Sequence, residues 1–147
     1  MRTNSFLFLV STLLAGLSSA GEVLLHNGPT VSTPVSSMES PEKTSKELEF
    51  IKQFFIDTGL LEKLPPAIDT TASAPLGAIR AIELAGKSDD LDKSRAFVVK
   101  RLEFLTTATA KRVDFYLVEM QVNGSTEHRI VLMDGTVLKP RLKNVGK

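Results

Sequence analysis

Two dipeptides near the C-terminal end, Asn123-Gly124 and Asp134-Gly135, constrain this chain more than any other feature in it. Asn, Asp and Gly tolerate positive φ, and a two-residue turn built from them matches the twist of the strands it joins. The flanking residues change side with a period of two, so 112–122 reads as one strand, 127–133 as the next and 136–139 as a short return. Ahead of them, 96–105 is rich in Phe, Val and Leu, with Lys100, Arg101 and Glu103 interleaved. Pro140 ends the run, and the basic tail 141–147 is expected to fray. The result is an antiparallel meander of three or four strands.

If Asn123-Gly124 is the whole turn, the register follows from it. Leu117 opposes Ile130, Phe115 opposes Leu132 and Glu119 opposes His128, while Tyr116, Val118 and Val131 take the other face. A longer loop would slip the pairing and turn the faces over. The two-residue turn is the preferred reading.

Upstream, the spacing predicts two helices. Thr44-Ser45-Lys46-Glu47 has the form of a capping box, and Leu48, Ile51, Phe54 and Phe55 follow at helical spacing. Gly59 and then Pro65-Pro66 punctuate the end of this helix. A second helix is expected over 75–85, opened by Pro75 and closed by Gly86, with Leu76, Ile79 and Ile82 as its apolar stripe. The fold class expected is α+β, with two N-terminal helices on one face of the meander.

The remaining N-terminal residues point to an address. Arg2 precedes an apolar stretch from Phe6 to Leu17, and Ser18-Ser19-Ala20 offers small residues for cleavage before Gly21. This is the pattern of a secretory signal peptide, and the stretch is short for a membrane span. The expected organisation is a signal peptide over 1–20, a flexible Ser/Thr/Pro-rich linker over 21–43, a domain over 44–140 and the basic tail. The protein is then secreted or periplasmic, without a stable membrane anchor.

Removing Arg2 leaves as many basic residues as the 17 acidic ones, with signs interleaved, which argues against a nucleic-acid partner. Cysteine is absent. An exported domain of this size without disulfides must rest on hydrophobic burial, and thiol catalysis and thiolate metal sites are excluded.

Chemistry-bearing residues are sparse. His26 falls in the expected linker, which leaves His128 opposite Glu119 as the one acid–base pair that the register assembles. An ordinary cross-strand polar pair explains the same two residues. Asp89, Asp90 and Asp92 lack the pattern of an EF-hand loop and read as a solvated connection. Glu103, Asp114 and Glu119 offer carboxylates for glycoside hydrolysis, with no sign of a sugar cleft. Asn123-Gly124-Ser125 matches the N-glycosylation acceptor, which has meaning in a eukaryotic secretory protein and is already explained by turn chemistry. No catalytic set, cofactor site or metal site is read from the sequence.

Across 76–139 the chain resembles PepSY-like small extracytoplasmic domains. The features are the helix Ala78-Ile79-Arg80-Ala81-Ile82-Glu83-Leu84-Ala85 with its closing Gly86, the tyrosine-led strand from Tyr116 to Met120, and the ending from His128 through Asp134-Gly135 to Leu138. Asp134 stands directly before Gly135, tighter than the family's usual ending, and a charged segment, 87–93, replaces its glycine-centred loop. Cystatin-like folds share the same order of elements. Both resemblances imply binding and bring no catalytic residues. The function expected is a non-enzymatic binding module with a protein partner, an inhibitor or regulator of an exported enzyme such as a protease. The alternative is a small exported hydrolase or isomerase with an unrecognised acid–base site.

Overall fold

The computed structural model describes residues 21–34, 47–68, 74–88 and 96–145. The expected signal peptide, the proposed capping threonine Thr44 and the acidic cluster Asp89, Asp90 and Asp92 lie outside them. In chain order the elements are β1 (Glu22–Pro34), β2 (Glu47–Asp57), α1 (Thr58–Lys63), α2 (Ala78–Gly86), β3 (Phe97–Thr106), β4 (Asp114–Val122), β5 (Ser125–Leu132), β6 (Val137–Leu138) and β7 (Arg141–Asn144). They build two antiparallel sheets, one ordered β1-β2-β7 and the other β3-β4-β5-β6.

The first hairpin forms as its turn dictates, whereas the second is closed by three residues, Met133-Asp134-Gly135, since Val131 pairs with Val137 and the Leu132 amide donates to the Thr136 carbonyl. Asn123 and Gly124 adopt φ of 50° and 81°, and Gly135 adopts 90°. Leu117 pairs with Ile130, Phe115 with Leu132 and Glu119 with His128, the register of the two-residue turn. Alternation then divides the apolar side chains of β4 and β5 between two cores. Phe115, Leu117, Ile130 and Leu132 face one way, onto Leu25, Phe54 and Ile56 of the other sheet and Leu61 and Leu64 at α1. Tyr116, Val118, Met120 and Val131 face the other way, onto Ala81 and Ala85 of α2. The molecule is mostly β and has three layers: sheet, sheet, helix.

The expected fold class is corrected on this point. One face of the meander carries α2, and the opposite face carries a second sheet in place of a second helix. The segment expected to form the first helix is instead β2, followed by the six-residue α1. Even-numbered residues of β2 point inward, with Lys52, Phe54 and Ile56 all buried. Ile51 and Phe55, which complete the helical stripe in the sequence, stand on the outer side. Gly59 lies inside α1 rather than ending a helix.

Two further expectations fall with it. The stretch expected to be a flexible linker contributes β1, which pairs with β2 from Glu22↔Asp57 to Pro34↔Glu47 and buries Leu25. The tail expected to fray contributes β7, which pairs with the other edge of β2. Arg141 anchors it: its guanidinium donates to both carboxylate oxygens of Glu22 at 2.5 and 2.7 Å and lies 5.1 Å above the Phe55 ring. The bidentate geometry and the aromatic face together hold a strand that has no buried residue of its own.

Helix α2 covers most of the stretch expected to be helical, but it starts at Ala78 rather than Pro75, leaves Leu76 outside, includes Gly86 and has a rotated contact face. Ala81 and Ala85 are fully buried against the sheet, and Leu84 packs beside them. Ile79, expected in the apolar stripe, is 78% exposed. Small alanines let the helix approach the sheet closely, which decides the rotation. Among the described residues no helix is long and apolar enough to cross a membrane.

Candidate functional site

The inner face of the meander changes character along its length. Near β6 it is apolar and packs on the second sheet. Towards the Asn123-Gly124 turn the same face carries Arg101 on β3, Glu119 on β4 and His128 on β5, neighbours through the pairs Arg101↔Glu119 and Glu119↔His128. Opposite this polar half, β1 breaks its ladder twice, between Leu24 and His26 and between Asn27 and Thr30. The irregular backbone lets His26, Asn27, Gly28 and Pro29 form one wall of a cleft of about 230 Å³, whose other walls are Arg101, Glu103, Leu117, Glu119 and His128. Gly28 sits at a close approach of this wall to β2. A Cβ there would meet the Phe54 ring at 3.1 Å and the Lys52 carbonyl oxygen at 3.2 Å.

His128 is buried, and both of its ring nitrogens have neighbours. Lys52 reaches across from β2 and places Nζ 2.9 Å from Nδ1 of His128 and 3.1 Å from the carbonyl oxygen of Thr126, to which it donates. An ammonium group has donors only, so Nδ1 accepts and the neutral ring carries its proton on Nε2. That nitrogen lies 3.8 Å from Oε2 of Glu119. Burial holds the His128 pKa below its ordinary 6.5, and the positive charge of Lys52 pushes the same way; Glu119 and Glu127 oppose without reversing the shift. Burial also lowers the pKa of Lys52. The ring is thus a fixed neutral donor, held in one tautomer, beside a partly exposed carboxylate.

His26, expected in a linker, belongs to the same cleft. Its ring lies 5.5 Å from that of Phe115 and 6.4 Å from that of Phe54, and burial lowers its pKa, with Glu103 opposing. At the mouth, Arg101 and Glu103 form an ion pair at 2.5 Å.

Of the residues singled out from the sequence, Glu119 and His128 are brought together in the predicted pairing, and Glu103 joins them in the cleft lining. Asp114 does not. It is buried at the opposite end of the β3–β4 ladder, accepting from the Ile68 amide at 2.7 Å and the Thr106 hydroxyl at 2.6 Å. The carboxylate trio is therefore not one site. Asn123 is exposed at the first position of its turn.

The residues missed are His26, Asn27 and above all Lys52. One signal for Lys52 was available: Leu48, Phe50, Phe54 and Ile56 alternate strictly, and Lys52 is the single polar residue on that inward row. A lone charge in a strand's buried row is a functional or pairing position more often than an error of pattern.

Among the described residues no group of three or more His, Asp or Glu is placed to hold a metal ion. Comparison with protein-family models, with curated proteins and with solved structures finds no match.

Proposed function

We propose that this chain is an exported, non-enzymatic binding module, an inhibitor or regulator of an exported enzyme, and that the histidine cleft receives a basic side chain of its protein partner. The observation that carries the reading is the Lys52–His128 hydrogen bond. With Nδ1 occupied and the proton on Nε2, His128 has no free lone pair to accept a proton at neutral pH, which disfavours its use as a general base. What remains in the cleft is recognition chemistry. Glu103 is paired with Arg101, so Glu119 is the carboxylate best placed to meet an incoming lysine or arginine head group. A guanidinium or ammonium desolvated against a carboxylate forms a strong, directional contact.

The test is a titration of the mature protein with short peptides that differ only in carrying lysine, arginine or norleucine at one position. The His26 and His128 ring resonances serve as reporters. Saturable shifts with the basic peptides alone, abolished by Glu119→Gln in a protein of unchanged thermal midpoint, support the reading. Equal response to the norleucine peptide sinks it. Cleavage or isomerisation of a peptide, lost in folded Glu119→Gln, replaces binding with the hydrolase or isomerase alternative.

A further inference from the structure

Among the described residues the outermost strands of the two sheets are β1, β7, β3 and β6. β6 has two residues, β7 has four, and β1 breaks its ladder twice. β3 is different. Past the irregularity between Val99 and Arg101 it holds one register with β4 over 101–106. Among the described residues no strand lies beyond it.

Parity fixes which backbone groups of β3 face outward. The Thr107 amide donates to the Val113 carbonyl at 2.9 Å, in the register of the rest of the ladder. Opposed residues in an antiparallel pair alternate between bonded and non-bonded, so Arg101, Glu103 and Leu105 exchange hydrogen bonds with β4. The two-residue turn gives the same parity from the other side of β4, because its flanking pair, Val122 and Ser125, is a bonded one. Leu102 and Phe104 therefore direct N–H and C=O to the free edge.

The two faces of that edge differ in chemistry. On the α2 side Leu102 and Phe104 are only partly buried. On the inner side Arg101 and Glu103 line the histidine cleft together with Glu119. The cleft lies where the outermost strands β1 and β3 face each other. Open backbone groups on an edge strand are a template for another strand, and proteins blunt such edges with bulges and charges. Here the irregularity and Lys100 guard only the first half.

We propose that the free edge of β3 takes up an extended segment of the protein partner as an added antiparallel strand, with a basic residue opposite Glu103 and apolar residues opposite Leu102 and Phe104. In this mode backbone bonds give affinity and alternate side chains give specificity. The residue opposite Glu103 projects from the inner face, so its head group enters the cleft beside Glu103 and towards Glu119. Its two neighbours project to the α2 side, where they make cross-strand contacts with Leu102 and Phe104. Charges at Arg101 and Glu103 disfavour a strand of unmatched pattern. The basic position rests on the reading proposed above; the strand pairing does not.

The test uses the full mature protein, amide hydrogen exchange and a blocked peptide, Thr-Thr-Val-Lys-Val-Thr-Thr. In the free protein the amides of Leu102 and Phe104 should exchange faster than those of Arg101, Glu103 and Leu105. Peptide at ten times its Kd should slow those two amides about tenfold through occupancy alone. N-methylation of both valines removes the donors that face β3 and should weaken binding about tenfold. N-methylation of the lysine, whose amide points away, should not. Shifted histidine resonances with unslowed Leu102 and Phe104 overturn the added strand and leave the cleft reading standing. Equal slowing by the norleucine analogue keeps the strand and overturns the basic position. Absence of saturable slowing overturns the proposal, as do two amides already as slow as their neighbours in the free protein. Slowing that grows with protein concentration, without peptide, assigns the edge to a second copy of this chain and overturns the partner.

Discussion

The ammonium of Lys52 on β2 is hydrogen-bonded to Nδ1 of His128 on β5, 2.9 Å away, and this contact joins the two sheets where their facing surfaces turn from apolar to polar. Lysine can only donate, so the contact dictates the tautomer of the imidazole. Nitrogen-resolved NMR above pH 7.5 should show His128 as the Nε2–H form, titrating below 6.5. Lys52→Met should raise that pKa, because it removes the second-largest cause of the depression and leaves burial in place. A His128 pKa unchanged in folded Lys52→Met would disprove the coupling.

Stability should fall on mild acidification. Both histidines have folded-state pKa values below the unfolded 6.5, each chiefly through burial. The unfolded chain therefore binds more protons as pH drops through and below 6.5, and protonation pulls the equilibrium towards it. Stability is greatest above 6.5 and is lost as pH falls through the folded-state values. Denaturant midpoints at pH 8, 6.5 and 5.5 measure it, and the decline should be shallower in His26→Phe. A midpoint that rises on going from pH 8 to 5.5 would contradict both shifts.

Strand β1 should be indispensable. Leu25 is 5% exposed and belongs to the core that joins the sheets. Leu25→Ala is expected to cost about 2–5 kcal/mol, the usual loss for a large-to-small change in a packed core. Deleting 21–34 should abolish the cooperative thermal transition, because β2 would lose its partner along the whole of one edge and keep only the four-residue β7 on the other. A deletion mutant that melts like the parent would restore the linker reading.

The contact face of α2 can be tested by a pair of substitutions. Ala81 is fully buried against the sheet and Ile79 is 78% exposed. Ala81→Leu should destabilise by about 1–3 kcal/mol through overpacking. Ile79→Ser should change the denaturant midpoint little, as surface substitutions usually do. The reverse order of effects would place the helix on the face its Leu76, Ile79 and Ile82 stripe suggests.

The C-terminal half was legible because its information is local. The Asn123-Gly124 turn, alternation and a parity rule place Glu119 opposite His128 without reference to anything distant, and α2 announces itself by its alanine-containing helical run, though not by its start, which is Ala78 rather than Pro75. The N-terminal half was not legible in this way. Residues 48–56 satisfy both periods, helical through Leu48, Ile51, Phe54 and Phe55 and extended through Leu48, Phe50, Phe54 and Ile56. Lys52 tips the balance towards helix when only the neighbours are weighed, since it interrupts the extended row. The residue that obscured the strand is the residue that builds the site.

What the amino-acid sequence determined by itself, then, is the hairpin register, the helix before it and the facing of Glu119 and His128, all set by interactions among residues close along the chain. Only the tertiary structure decided that β2 is a strand, that β1 and β7 flank it, that His26 shares a cleft with His128 and that Lys52 bonds to it. Edge pairing lets 22–34 and 141–144, neither with a sizeable apolar row, satisfy their backbone hydrogen bonds on a strand that buries Phe54 and Ile56. A lysine in an inward row is tolerable only where a distant imidazole and carbonyl wait to accept its protons. Such compensation lies 74 and 76 residues away from Lys52, beyond the reach of any local pattern.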